Sequence, residues 1–369
     1  MARGALFDPL FGASEVAARL DDAAWVAALL AVEVALAQAA AAHGVIPAAH
    51  ARAVADAAEA LQLEPAALGL ASVEGGNPVI PLVRALRDAV GPEVGPSVHP
   101  GATSQDVMDT ASMLLVGWAG AVVLDDLRGA ADAAAALAAA HRDTPTMART
   151  LGQDALPTTF GLVAAGWSAG LDRARIRLTE VLAALPVQLG GPAGTLDGLP
   201  PAVAADLAGR LGLADPGVPW HTERTRVGDL GAALGVAAGA CAKPAVDVVA
   251  LAGLAEVSEA APGDSSSMPH KRNPIAAVTA RGAARRAPGL VAVLLAAMDG
   301  EHQRAGGAWH AEWETVGDLL RATGGAAARL RVSLEGLTVH ADRMAAGLPE
   351  RPEVGRAPEL VDRALAARP

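Results

Sequence analysis

Gln105 to His141 reads QDVMDTASMLLVGWAGAVVLDDLRGAADAAAALAAAH, and this stretch decides the fold class. Its apolar residues recur at helical spacing, and it far exceeds the roughly 11–12-residue average helix. Comparable runs cover about Pro157–Leu185, Thr222–Ala260, Pro274–Met298 and Gly307–Leu334, with a kink expected at Pro244. Some segments, such as VAVLLAAM (Val291–Met298), are apolar nearly all round. Such helices are buried on every side, which points to a large bundle and to burial against further copies of the chain. The expected fold is all-α.

Composition agrees. Of 369 residues, 52% are hydrophobic and only 2% aromatic, so alanine and leucine carry the apolar content; alanine is the best helix former. The net charge of −11 argues against a nucleic-acid partner and requires any anion site to be locally basic. Cys241, the one cysteine, excludes an intrachain disulfide and lies in an apolar run that reads as core. No 18-residue uncharged span has membrane-crossing character and no cleavable signal is visible. The expectation is a soluble, cytoplasmic protein with no membrane partner.

Outward from the long helix, the chain divides into three parts. GPEVGPSVHPG (Gly91–Gly101) is dense in glycine and proline and closes an N-terminal helical domain, 1–100. Within it a helix capped by Ser14 or Asp21 runs to His43, with shorter helices near 48–62 and 79–90. Residues 101–338 form the central bundle, and 339–369 a short C-terminal segment.

Polar residues gather where loops open the long helices. HPGATSQDVMDT (His99–Thr110) leads into the first; Thr103 or Ser104 can cap it and Asp106 suits its first turn. Capping alone would explain these residues, but a helix amino end also binds carboxylates. ARTLGQDALPTTFG (Ala148–Gly161) offers Arg149, Thr150 and Gln153 in what reads as a turn before the second helix. PWHTERTRVGDL (Pro219–Leu230) offers Trp220, His221, Arg224 and Arg226. GEHQRAGGAWHAEW (Gly300–Trp313) offers His302, Arg304, His310 and Glu312, at spacings that do not put three metal ligands on one helix face. Helix packing with interhelical hydrogen bonds is the plainer reading there.

APGDSSSMPHKRNP (Ala261–Pro274) is the most pointed of these loops. Pro262 and Gly263 break the helix before it, and Pro274 can start one after it. The chain has 29 Lys plus Arg but only two lysines, Lys243 and Lys271, and one sits here. A solvated basic loop is the plain alternative, but three serines, Lys271, Arg272 and Asn273 make a loop able to close over an anion. Nothing in the sequence calls for a metal or cofactor: there is no P-loop, no GxGxxG after a strand and no HExxH.

These residues carry a resemblance. SSSMPHKRNP (Ser265–Pro274) resembles the signature loop of the fumarase/aspartase superfamily, with pattern GSxxMxxKxN, over a likeness spanning roughly residues 5–340. GATSQDVMDT looks like its first conserved region and the segment around Thr150 and Gln153 like its second. Within the superfamily, LFDPLFG, GNPVIPLVRAL, HPGATSQDVMDT, PWHTERTR and GAWHAEW are most similar to the 3-carboxy-cis,cis-muconate cycloisomerases. The resemblance implies a long-helix central bundle, a homotetramer with active sites shared between chains, a small tricarboxylate substrate and no cofactor. It implies Ser265 and Lys271 as catalytic residues. It implies His99, Thr103, Ser104, Arg149, Thr150, Gln153, Ser266, Arg272 and Asn273 as substrate-binding ones.

Two departures discriminate. Relatives such as adenylosuccinate lyase carry THxQ in the second region, and that His pairs with a Glu seven residues after the loop lysine. Here those positions are Leu151 and Val278, an apolar residue facing another. The joint loss favours a cycloisomerase over an adenylosuccinate-lyase-like eliminase; a silent structural oligomer of the same fold is the alternative that Asp264 and a short C-terminal segment would support. Asp264 stands where the pattern has glycine, and the C-terminal domain looks shortened, with GRAPELVDRAL (Gly355–Leu365) as its remnant.

Overall fold

The computed structural model describes residues 7–11, 14–264, 267–268 and 270–369. Two short helices, α1 (Asp8–Phe11) and α2 (Ser14–Ala18), precede α3 (Asp22–Ala42), α4 (Ala48–Ala60), α5 (Pro65–Ser72) and α6 (Val79–Val94). The bundle follows: α7 (Ser104–Ala140), α8 (Phe160–Ala183), α9 (Ala202–Leu211), α10 (Thr225–Gly253), α11 (Ile275–Ala284), α12 (Ala287–Ala296) and α13 (Ala308–Glu335). Two small helices, α14 (Ala341–Ala345) and α15 (Ala357–Ala366), end the chain. Among the described residues the protein is all-α apart from two two-stranded antiparallel ribbons. These pair β1 (Pro145–Thr150) with β2 (Gln153–Thr159), and β3 (Val257–Glu259) with β4 (Leu337–Val339).

The helix starts follow local chemistry. Asp21 caps α3 by accepting from the Ala24 amide at 2.8 Å. Gly91, at φ 80°, interrupts the helical backbone within α6, at the glycine- and proline-dense stretch before the bundle. The run from Pro274 to Met298 is two helices rather than the single one expected. Pro288 sits in the first turn of α12, and its ring would collide with the Ala284 carbonyl if the helix were continuous. The segment before α8 is a hairpin, not a simple turn.

α7, α8, α10, α11–α12 and α13 run up and down beside one another around a continuous core from Val107 to Leu334. Cys241 is fully buried in it, and desolvation pushes its thiol pKa up to about 12. A second cluster joins Leu36 and Ala39 of α3 to Val203 and Leu207 of α9, so the excursion between α8 and α10 packs on the N-terminal helices. α14 packs on β1, and α15 on α7, α8 and β2. Arg142 clamps Asp362 with two 2.7 Å bonds, and Arg368 bonds Asp172 and Asp132, which fastens the C-terminal segment to the bundle.

α3, α7 and α10 are each long and apolar enough to cross a membrane by length and composition. Charged residues interrupt each of them, so none contains a wholly uncharged 18-residue span. Here their apolar faces build the bundle instead.

The α7–α8 corner leaves no room for a side chain at Gly161. A Cβ there would meet the His141 carbonyl oxygen at 2.6 Å and the Arg142 Cα at 2.7 Å, both backbone. Gly161→Ala is therefore expected to destabilise the fold by about 1–3 kcal/mol, read as a lower urea midpoint at unchanged slope.

Candidate active site

The long helix fixes the geometry. α7 has 37 residues, so its ends are about 55 Å apart at 1.5 Å per residue. His99, Thr103 and Ser104 stand at its amino end. Arg149, Thr150 and Gln153 lie on the hairpin beyond its carboxyl end, and the serine loop follows α10 at that same end. An ion pair confirms this, since Arg149 Nη1 on β1 bonds Glu256 Oε2 at 3.0 Å, just before β3. One chain thus brings the Arg149–Gln153 hairpin and the serine loop to one end of the bundle and the His99–Ser104 segment to the other.

At the amino end, Asp106 is the organising group. Its carboxylate accepts from the amides of Thr103 (2.9 Å), Gly190 (3.0 Å) and Gly191 (2.9 Å), and from His221 Nε2 at 2.7 Å. The bond to Thr103, three residues back, is half of the capping-box pattern written by Thr103 and Asp106. The bonds to Gly190 and Gly191 pin the glycine-rich loop over the helix start. Gly191, at φ 71°, must be glycine: a Cβ would lie 2.7 Å from the Gly101 carbonyl oxygen. His99 Nδ1 meets Glu33 Oε1 of α3 at 2.7 Å.

One turn further along α7, Asp109 anchors a buried ionic network. Arg224 Nη1 bonds Asp109 Oδ2 at 2.8 Å, and Arg224 Nε bonds Glu312 Oε1 at 3.0 Å with a second bond to its other oxygen. Trp309 Nε1 donates to Asp109 at 2.9 Å, and Arg224 lies over the Trp220 ring, 4.6 Å from its centre. Burial opposes the Arg224 charge, but Asp109 and Glu312 outweigh it and hold the pKa above its ordinary value. Desolvation pushes the Glu312 pKa up, against the pull of Arg224. Gln105 joins this network to the loop before α13 by bonding the His221 carbonyl at 2.8 Å and accepting from Arg304 at 3.1 Å. The Pro219–Leu230 and Gly300–Trp313 segments are therefore structural supports behind the amino end of α7. Their partners on α7 lie up to 200 residues away, and no local pattern in the sequence marks them.

At the other end, the hairpin turns through Leu151 and Gly152, both with positive φ (53° and 78°). This two-residue turn, with left-handed backbone at both positions, normally favours Asn-Gly. Leu151 is fully exposed at the tip and Val278 is 43% exposed. The expectation that they bury one another is not met within one chain. Arg149 is held by Glu256 and by Asp154 at 3.2 Å, so its fork is occupied, while Thr150 and Gln153 are exposed.

The serine loop is pinched at its neck. Gly263 and Asn273 exchange backbone hydrogen bonds of 2.9 and 3.1 Å. Lys271 and Arg272 are exposed, and Arg272 reaches Asp264 at 3.5 Å. Asp264, the unexpected acid, therefore faces a cation of its own loop. Below the neck, buried Glu259 accepts from the Ala276 and Ala277 amides at 3.0 and 2.8 Å, closing the amino end of α11. Ser265 and Ser266 lie outside the described residues. Among the described residues, no group of three His, Cys, Asp or Glu side chains is arranged to hold a metal.

The family profile described as Lyase matches residues 5–289. The chain belongs to this lyase family. It is 46% identical over 362 residues to nitrosuccinate lyase of Streptomyces davaonensis, covering 93% of this chain and 76% of that protein. It is 44% identical over 355 residues to 3-carboxy-cis,cis-muconate cycloisomerase of Bradyrhizobium diazoefficiens, covering 93% and 79%. The crystal structure of the 3-carboxy-cis,cis-muconate lactonizing enzyme of Pseudomonas putida superposes with a TM-score of 0.89 at 37% identity, covering 98% of this chain and 87% of that one. The all-α bundle is that of the fumarate lyases, as the serine loop implied.

The ionic network gives a direct test. Arg224→Leu strands Asp109 and Glu312 as buried, unpaired carboxylates and is expected to cost about 3–5 kcal/mol. Arg149→Leu, at a pair whose arginine is 30% exposed although Glu256 is buried, is expected to cost less, about 1–2 kcal/mol. Denaturant unfolding of the two variants measures the difference.

Proposed function

We propose that this lyase-family enzyme converts 3-carboxy-cis,cis-muconate to carboxymuconolactone, without a cofactor, in the cytoplasm, within the protocatechuate branch of aromatic-acid breakdown. One substrate carboxylate attacks a double bond of the same molecule, forming a C–O bond. The carbon beside another carboxylate, made carbanionic, then takes a proton. Ser265 delivers that proton, and removes it in reverse, while Lys271 and loop amides stabilise the serine alkoxide. Lys271 and Asn273, helped by Ser266 and Arg272, hold one carboxylate. Thr103, Ser104 and His99 at the amino end of α7 hold a second, and Thr150 and Gln153 border the site. Arg149 is better read as a brace for the hairpin, because Glu256 occupies its guanidinium.

The observation that carries this reading is Leu151 at the hairpin tip, with Val278 seven residues after Lys271. An elimination that expels an amine or water gains from an acid on the leaving group. An ionised carboxylate needs none, either to attack or to leave, so an apolar residue at this position suits lactonisation.

Because the amino end of α7 lies far from the other two segments, a complete site combines several copies of the chain, as a homotetramer would. Exposed Trp118, Val236, Val293, Leu295 and Val332 on the long helices supply apolar surface for that assembly. In this division residues 101–338 carry the reacting loops, with 1–100 and 339–369 as flanking domains.

The likeness to nitrosuccinate lyase favours a second reading. Nitrite is a weakly basic leaving group that departs unprotonated, so the same missing acid suits its expulsion. The test presents 3-carboxy-cis,cis-muconate, nitrosuccinate and adenylosuccinate in turn to the wild type, to Ser265→Ala and to Lys271→Ala. The proposal expects loss of the muconate chromophore, with both variants slower by about 10²–10⁴-fold. Nitrite release without muconate turnover would replace it with the second reading. Silence on all three by an intact oligomer would leave a structural scaffold.

A further inference from the structure

Three features of the Glu33–His99 pair stand outside the reaction scheme. His99 holds a left-handed backbone, φ 62°, between Val98 and Pro100, a conformation that a residue with a side chain rarely adopts unless its surroundings demand it. Glu33 is fully buried on α3, in a helix whose other buried residues are alanine, valine and leucine. Its Oε1 takes the His99 bond, and its Oε2 is buried with no partner. A buried carboxylate with an idle oxygen costs stability, and an apolar pair in its place would be cheaper. The pair is thus poorly explained as something that merely holds α3 to the loop.

Its location supplies a use. His99 lies four residues before Thr103, where the chain enters the amino end of α7. Nδ1 is committed to Glu33, so Nε2 is the ring's remaining donor, and the side chain is 14% exposed. The charged groups facing the ring are Glu33 from α3, Asp106 from α7 and Arg87 from α6. Burial lowers the His99 pKa, the bond and charge of Glu33 raise it, Asp106 raises it and Arg87 lowers it; the balance lies above the ordinary value.

We infer that Glu33 is a positioning residue that keeps His99 as an imidazolium, with Nε2–H aimed to bind a carboxylate of the substrate beside Thr103 and Ser104. This rests on the reading of that helix end as a polycarboxylate site. Neutral His99 has one N–H, which Glu33 claims, so only the cation can donate at both nitrogens. As pH rises through the raised His99 pKa, the second donor is lost and substrate binding weakens.

The test uses the full-length protein. The His99 Cε1–H resonance, assigned by its absence from His99→Gln, is titrated in the wild type and in Glu33→Gln. The expected wild-type transition lies above the ordinary imidazole range, falls in Glu33→Gln, and responds to propane-1,2,3-tricarboxylate. With 3-carboxy-cis,cis-muconate, Glu33→Gln is expected to raise KM about tenfold between the His99 transitions of the two proteins while kcat stays within about twofold. The gap narrows only as the pH falls below the lowered His99 pKa of the variant, where both proteins carry the imidazolium. His99→Gln, whose amide can still bond Glu33, is expected to raise KM similarly and to remove the pH dependence. A His99 titration unmoved by Glu33→Gln, a wild-type resonance blind to the tricarboxylate, or an unchanged KM in His99→Gln would each overturn the assignment. Wild-type protein inactive on the muconate, with the resonance behaving as expected, would instead refute the substrate reading and leave the role of Glu33 standing.

Discussion

The length of α7 is the constraint from which the rest of the structure follows. A rigid rod of 37 residues holds Thr103 and Ser104 at one helix end about 55 Å from the hairpin and serine loop at its other end. No loop motion within one chain closes that distance. The proposed site, in which these groups meet around one small molecule, therefore requires different copies of the chain, and the helices between the two ends expose apolar side chains such as Trp118, Val236 and Val332.

Each end is then built for rigidity in its own way. At the amino end, four donors converge on Asp106, and Arg224 ties Asp109 to Glu312 across three helices. Burying so much charge is a poor way to gain stability, but it fixes the direction in which Thr103 and Ser104 point. At the carboxyl end the bracing is backbone-based: the Gly263–Asn273 neck, the β3–β4 ribbon, and Glu259 seated on α11. Ser258 and His340 extend that ribbon with a 2.9 Å contact, so the C-terminal segment supports the strand that feeds the serine loop. A firm base with exposed Lys271 and Arg272 above it suits a loop that closes over an anion.

Much of this was legible in the sequence, because helices announce themselves locally. The bounds of α7 and α13 follow from alanine-rich periodicity, and Thr103 with Asp106 marks a helix start whatever lies beyond it. The hairpin was missed because Leu151–Gly152 is not a recognisable turn pair, and strand pairing over six or seven residues leaves a weak trace beside long helices. The break between α11 and α12 was overlooked although Pro288 signals it. Glu33 could have been found: it is the one acid beyond the first turn of an apolar helix, a position that calls for a partner. That the partner is His99 depends on how α3 packs against the start of α7, which no local pattern encodes. Likewise, nothing near Asp109 foretells Arg224, Trp309 or Glu312.

The claim most exposed to test is that the two ends of α7 serve one site only across chains. Two inactive variants are prepared, one altered at the amino end (Thr103→Ala with Ser104→Ala) and one at the serine loop (Lys271→Ala). They are dissociated, mixed, reassembled and assayed on 3-carboxy-cis,cis-muconate. Hybrid oligomers assemble some sites from the intact end of each variant, so activity absent from either parent is predicted to return in the mixture. Verified hybrids that remain as inactive as their parents would contradict the account and place the whole site within a single chain.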